Sequence, residues 1–92
     1  MHLTADLHTH TTASGHAYST VAELATTAAR RGMELIAITD HGPALAGASH
    51  DYHFRNLKAL PCEIDGVRVL KGVEANVMGT AGELDLPEDV LA

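Results

Sequence analysis

Three of the chain's seven histidines, His8, His10 and His16, fall within nine positions of one stretch, DLHTHTTASGHAYST. Imidazole is the commonest metal-binding side chain and a proton carrier near neutral pH, so the crowding points to a site. On an extended segment, residues two apart face the same side, so His8 and His10 present two rings to one ion. Asp6 shares their parity and is placed to orient a ligand through its far nitrogen. An isolated His-x-His also fits a solvated or substrate-contacting pair. Asp40-His41 adds a further imidazole, and Glu74 puts a carboxylate into an otherwise apolar run, where an unpaired charge is costly. Taken together, His8, His10, His16, His41 and Glu74 favour a divalent-metal site over a solvated pair.

Other catalytic signatures are missing. The chain contains no GxxxxGK[ST] or GxGxxG phosphate loop, and none of Ser14, Ser19 or Ser49 sits in a G-x-S-x-G elbow. His50-Asp-Tyr-His53 has the spacing of a zincin pair but lacks the glutamate base, and reads as a surface or pocket-lining pair. Twelve acids against six bases give a net charge of −6 without any run of Lys or Arg, so nucleic acid is not an expected partner. Bound divalent ions would reverse the local sign, because each adds two positive charges. Aromatic residues make up only 3% of the chain, too few for base-stacking platforms. Cys62 is the single cysteine, which excludes an intrachain disulfide; it reads as a partly buried free thiol in a reducing compartment. No signal-peptide pattern or 18-residue apolar run is present, so the expected location is cytoplasmic, with no membrane partner.

The elements that position these residues are legible in the pattern. Leu3 to Leu7 reads as a short strand. Thr20-Val-Ala-Glu23 forms a capping box, and Val21, Leu24, Ala25 and Ala28 make one apolar stripe, predicting a helix from Val21 to Arg31 ended by Gly32. Leu35 to Ile38 is an apolar run that predicts a strand covered on both faces. Strand, helix and strand with short connections form a βαβ unit with parallel strands. A loop over Ala44 to Ser49 and a helix over His50 to Leu60 follow, then a turn at Asp65-Gly66 and a third strand from Val67 to Val77. Gly79-Thr-Ala-Gly82 is another turn, and LDLPEDVLA has no clear stop. Glu83, Asp65, Asp85 and His2 read as solvated or turn residues. His8, His10, Asp40, His41 and Glu74 thereby fall at or near strand C-termini, the active-site face of parallel α/β folds.

The motifs DLHTHT with His16, ITDHG at Ile38 to Gly42, and GVEANV at Gly72 to Val77 resemble the successive motifs of the PHP (polymerase and histidinol phosphatase) superfamily. The extended forms DLHTHTTASGHAYST and ITDHGP are most similar to its small stand-alone phosphatases. The resemblance implies an α/β fold, the N-terminal βαβ-rich part of a distorted (β/α)7 TIM-like barrel, with residues 1–92 as the N-terminal portion of a single PHP domain. It also implies two or three divalent ions, Zn, Mn or Fe: His8 and His10 on one, Glu74 bridging it to a second, and His16 with His41 on a third. Asp6 and Asp40 then support the ligands from behind. His50, His53 and Lys58 fall where such enzymes have a loop beside the site, as candidate contacts to a small phosphorylated substrate. Family members are usually more than twice this length, with further ligands from later strands.

The expected activity is metal-dependent phosphatase chemistry, with metal-bound hydroxide attacking a phosphomonoester. One alternative is a truncated, non-catalytic metal-binding or interaction module. Another is a nuclease-type PHP phosphodiesterase, which would call for a basic groove. Three strands alone leave open sheet edges, which offer a route to self-association.

Overall fold

The computed structural model describes residues 4–15 and 17–91, so His16, His2 and the start of the first expected strand lie outside the described residues. The elements run β1 (Ala5–Thr9), α1 (Val21–Arg30), β2 (Leu35–Ile38), α2 (Asp51–Leu57), β3 (Glu63–Ile64), β4 (Val67–Lys71) and α3 (Glu88–Leu91). The chain is a mixed α/β structure around a four-stranded sheet of order β1-β2-β4-β3. β1 and β4 flank β2 in parallel, and β3 pairs antiparallel with β4.

Helix α1 begins as its capping box requires: the Thr20 hydroxyl accepts the Glu23 N–H (3.2 Å) and Glu23 Oε1 accepts the Thr20 N–H (2.9 Å). At its other end Gly32 takes a left-handed φ of 74° and the Met33 N–H returns to the Ala28 carbonyl at 2.9 Å. The stripe on α1 buries Ala25 and Ala28 against Ile36 and Ile38 of β2, Val67 and Val69 of β4, and Phe54 and Leu57 of α2. Ile36, Ala37 and Ile38 are consecutive and all buried, so β2 is covered on both faces as its unbroken apolar run predicts.

Several boundaries differ from the sequence expectation. β1 extends to Thr9 and its pairing slips between Asp6 and Thr9, where three steps along β1 match two along β2. Helix α2 is shorter than His50–Leu60 because His50 serves as its N-cap and the chain leaves the helix before Pro61, which disfavours helix in the residue ahead of it. The expected strand Val67 to Val77 stops at Lys71; beyond it Glu74 and Val77 form only single bridges, to His41 and Leu84. Strand β3 was not expected. It is only two residues long and returns into β4 through Asp65 and Gly66, whose φ values of 52° and 80° are the left-handed pair of a tight hairpin turn. Cys62, just before β3 at the sheet edge, is exposed rather than partly buried.

The short helix α3, also unexpected, follows Pro87 and packs on α2: Arg55 Nη1 meets Asp89 Oδ2 at 3.1 Å, while Leu86 and Val90 join the core. Among the described residues no helix is long and apolar enough to cross a membrane.

Candidate metal centre

Hydrogen bonding between β2 and β4 continues past the strands themselves and carries the site. The Gly72 N–H donates to the Ile38 carbonyl (2.8 Å), the Glu74 N–H to Asp40 (2.9 Å), and the Gly42 N–H back to Glu74 (2.9 Å). This parallel bridge sets His41 beside Glu74. On the other side of β2, the Thr39 N–H donates to the Thr9 carbonyl (2.8 Å), bringing the end of β1 and its histidines alongside.

One carboxylate joins the three strand ends. Glu74 Oε1 accepts from His8 Nε2 at 2.8 Å and Glu74 Oε2 from His41 Nδ1. The His8 ring lies edge-on to His10 at 5.0 Å, and His10 stacks on His41 at 4.4 Å and 10°. Donor atoms of His8, His10 and Glu74 lie within 4.8 Å of one another. Bonds of about 2.0–2.2 Å put two ligand atoms at most roughly 4.4 Å apart across one ion, so this shell is close to the width that one ion spans. Two imidazoles and a carboxylate also suit a borderline divalent cation. The residues fit a metal.

Asp6 acts differently from the sequence expectation. Its Oδ1 accepts the backbone N–H of His8 at 3.1 Å, across the slipped pairing in β1, so its hold on the histidine runs through the main chain.

Behind the histidines lies a buried polar knot around Asp40, which is fully inaccessible. Its Oδ1 accepts the Thr11 N–H (2.6 Å) and the Ser14 hydroxyl (2.8 Å); its Oδ2 accepts the Thr11 hydroxyl (2.7 Å) and lies 3.0 Å from His53 Nε2. Burial pushes the Asp40 carboxyl up, but the bonds from His53, Thr11 and Ser14 outweigh it and hold it well below the usual carboxylate range. The Ser14 oxygen also accepts the His41 N–H at 3.1 Å, so one hydroxyl ties the loop after His10 to the residue that precedes Gly42. Ser14, buried and bonded in this way, is a structural hydroxyl. Ser49 donates to the Ala13 carbonyl at 2.7 Å.

The structure thus brings His8, His10, His41 and Glu74 together, while His16 lies outside the described residues. The three candidate substrate contacts sit on α2 and its ends. His53 reaches the site through Asp40, His50 caps α2 by accepting the Tyr52 N–H at 3.2 Å, and Lys58 Nζ donates to the Asp89 carbonyl at 3.2 Å.

The PHP domain matches residues 6–90. The chain belongs to the PHP family. Its curated relatives include a protein named "Probable phosphatase" from Acetivibrio thermocellus, 57% identical over 91 residues, which cover 99% of this chain and 38% of that protein. One of the same name from Shewanella oneidensis is 51% identical over 87 residues, covering 95% of this chain and 34% of that protein. This PHP chain therefore spans a little over a third of the length of the relatives it matches.

Four residues shape this PHP site in roles that the sequence did not assign to them. Thr11 and Ser14 belong to a hydroxyl-rich run, Thr-Thr-Ala-Ser, directly after the histidines, and both hydroxyls donate to Asp40. Asn76 and Asp85 clasp the loops after β4 and β2, with Asn76 Nδ2 donating to Asp85 Oδ2 at 2.7 Å. Asp85, read as a solvated or turn residue, is half-buried and accepts three N–H groups. Its signal was faint: an acid between two leucines in Leu84-Asp-Leu86.

Proposed function

We propose that this chain contributes the imidazole–carboxylate part of a divalent-metal phosphatase acting on small phosphomonoesters, within a distorted (β/α)7 barrel in the cytoplasm. The observation that carries the reading is Glu74, whose two carboxylate oxygens meet His8 from β1 and His41 from the end of β2, with His10 in the same shell. The names of the relatives support the phosphatase reading at the level of reaction class.

In this reading His8 and His10 hold one ion, Glu74 bridges it to a second, and His41 with His16 serves a third, with Zn, Mn or Fe as the metal. When bound, such ions supply positive charge for phosphoryl oxygens and acidify water. The chain's own residues do the positioning. Thr11, Ser14 and Asp40 hold the two histidine-bearing loops at fixed separation, and the Glu74 main chain is pinned by Asp40 and Gly42. His50 is the exposed imidazole on the α2 end and is assigned to substrate with His53 and Lys58.

A second reading is a metal-binding module without turnover, for which the donor atoms of His8, His10 and Glu74 within 4.8 Å of one another suffice. Metal content by atomic spectroscopy and turnover of p-nitrophenyl phosphate, on the 92-residue chain and on a longer chain that contains it, separate the two. Metal in both with turnover in at least the longer chain supports the phosphatase. Metal without turnover in either supports the module, and no metal in either refutes both.

A further inference from the structure

Asp85 lies outside every ligand motif, yet it contacts the loops that follow both His41 and Glu74. Its Oδ1 accepts the Asn76 N–H at 3.0 Å; its Oδ2 accepts Asn76 Nδ2 at 2.7 Å and the Ala44 N–H at 3.0 Å. The Asp85 N–H in turn donates to the Asn76 carbonyl at 3.1 Å, and Asn76 Nδ2 also reaches the Gly42 carbonyl at 3.3 Å. Asn76 stands two residues past Glu74, and Gly42 one past His41.

Gly42 adds an independent observation. It is buried, and a Cβ built on it would overlap both carboxylate oxygens of Asp85. Its φ is not in the left-handed region that demands glycine, so the requirement there is space for that carboxylate. The regular β2–β4 strands end at Ile38 and Lys71, and past them the pairing runs on only through the Gly72, Glu74 and Gly42 N–H bonds to the His41–Glu74 bridge at the sheet end. The last pair at a sheet terminus frays unless something closes its far side. Asp85 closes it.

We propose that Asp85 is a positioning residue that fixes His41 against Glu74 by clasping Gly42, Ala44 and Asn76 into one unit. Its importance for metal affinity rests on the proposed metal reading; its control of the bridge does not. Outer partners that orient ligands typically contribute about 10–100-fold in metal affinity, the range expected here.

The test uses Asp85→Ala and Gly42→Ala, which displaces the carboxylate without removing it. Val67→Ala, at the far end of β4, serves as a control for lost stability. Two readouts are taken at a temperature where all variants are folded: amide hydrogen exchange at Gly42 and Glu74, and Co²⁺ affinity with its visible absorption spectrum. The expected result is at least about tenfold loss of protection at both amides in the two clasp variants. Roughly 10–100-fold weaker Co²⁺ binding with an altered spectrum accompanies it, while Val67→Ala changes neither. Unchanged protection in Asp85→Ala, or equal loss in Val67→Ala, overturns the clasp. Lost protection with Co²⁺ affinity held within about twofold overturns its part in metal binding. If the unaltered chain takes up no Co²⁺, the metal reading fails by itself and hydrogen exchange decides the clasp.

Discussion

Truncating Asp40 to alanine tests whether the buried knot holds the two histidine-bearing loops together. The carboxylate serves four donors: the Thr11 N–H and hydroxyl, the Ser14 hydroxyl, and His53 Nε2. Hydroxyls rotate to new partners and the partly exposed His53 ring reaches water, but the Thr11 N–H is buried and fixed. An orphaned buried donor costs about 1–3 kcal/mol, and each hydrogen bond to a charged acceptor contributes roughly 1.5–3 kcal/mol, with poor additivity. Orphaning the Thr11 N–H and losing one or two of the other charge-assisted bonds should therefore cost about 3–5 kcal/mol. A chain of this length has about 5–14 kcal/mol in total, so the loss is a large fraction. Asp40→Asn should be milder, about 1–2 kcal/mol, because its oxygen still serves Thr11 N–H and Ser14 while its amide faces two groups able to accept. Urea unfolding reads the difference: with a slope near 1.5 kcal/mol/M, the Asp40→Ala midpoint falls by roughly 2–3 M. A loss under about 1 kcal/mol for Asp40→Ala, or Asp40→Asn proving worse than Asp40→Ala, refutes the assignment.

Glu74→Gln should weaken Zn²⁺ binding by more than the roughly 10–100-fold typical of an outer partner, while His53→Ala weakens it less; calorimetric titration checks the order, and equal losses contradict the roles. Chelator treatment of a longer chain should abolish p-nitrophenyl phosphate turnover, and added divalent metal should restore it; activity that survives complete metal removal refutes the proposed function. Burial raises the Asp85 carboxyl, but bonds from Asn76 and the Ala44 N–H outweigh it and leave it below its ordinary value near 3.9. Its stabilising effect is thus full above about pH 4 and fades as the pH falls through the lower folded value. Thermal melts of the unaltered chain and Asp85→Asn should differ at pH 6–7 and converge in acid, and a constant gap contradicts this. Ile38→Ala, at a fully buried core position, should cost about 2–5 kcal/mol in the same urea experiment.

Local physics made α1 legible, since Thr20, Glu23 and Gly32 act within one turn of the helix ends they define. The apolar run of β2 was equally plain because three consecutive buried residues leave no polar alternation to misread. His8, His10, His41 and Glu74 could be gathered in advance because parallel strands send their C-termini to one face. What stayed hidden depends on partners distant in sequence. The slip in β1 is a property of its pairing with β2, and β3 is too short to show any period. Asp85 looks like any surface acid until the fold brings Ala44 to it across 41 residues. Parity and the family resemblance both direct Asp6 to an imidazole, whereas its Oδ1 accepts a backbone N–H across the slipped pairing.

The bridge past the ladder also acts as a ruler. From the last regular pair, Ile38 with Lys71, both chains take three steps to reach His41 and Glu74. Adding one residue to either spacer would move its functional side chain about 3.3 Å along the sheet and turn it to the opposite face. A single insertion or deletion in one spacer is therefore far more disruptive than its size suggests, whereas matched changes in both preserve the count. Length in these two segments is constrained jointly, so a change in one needs a matching change in the other, 33 residues away.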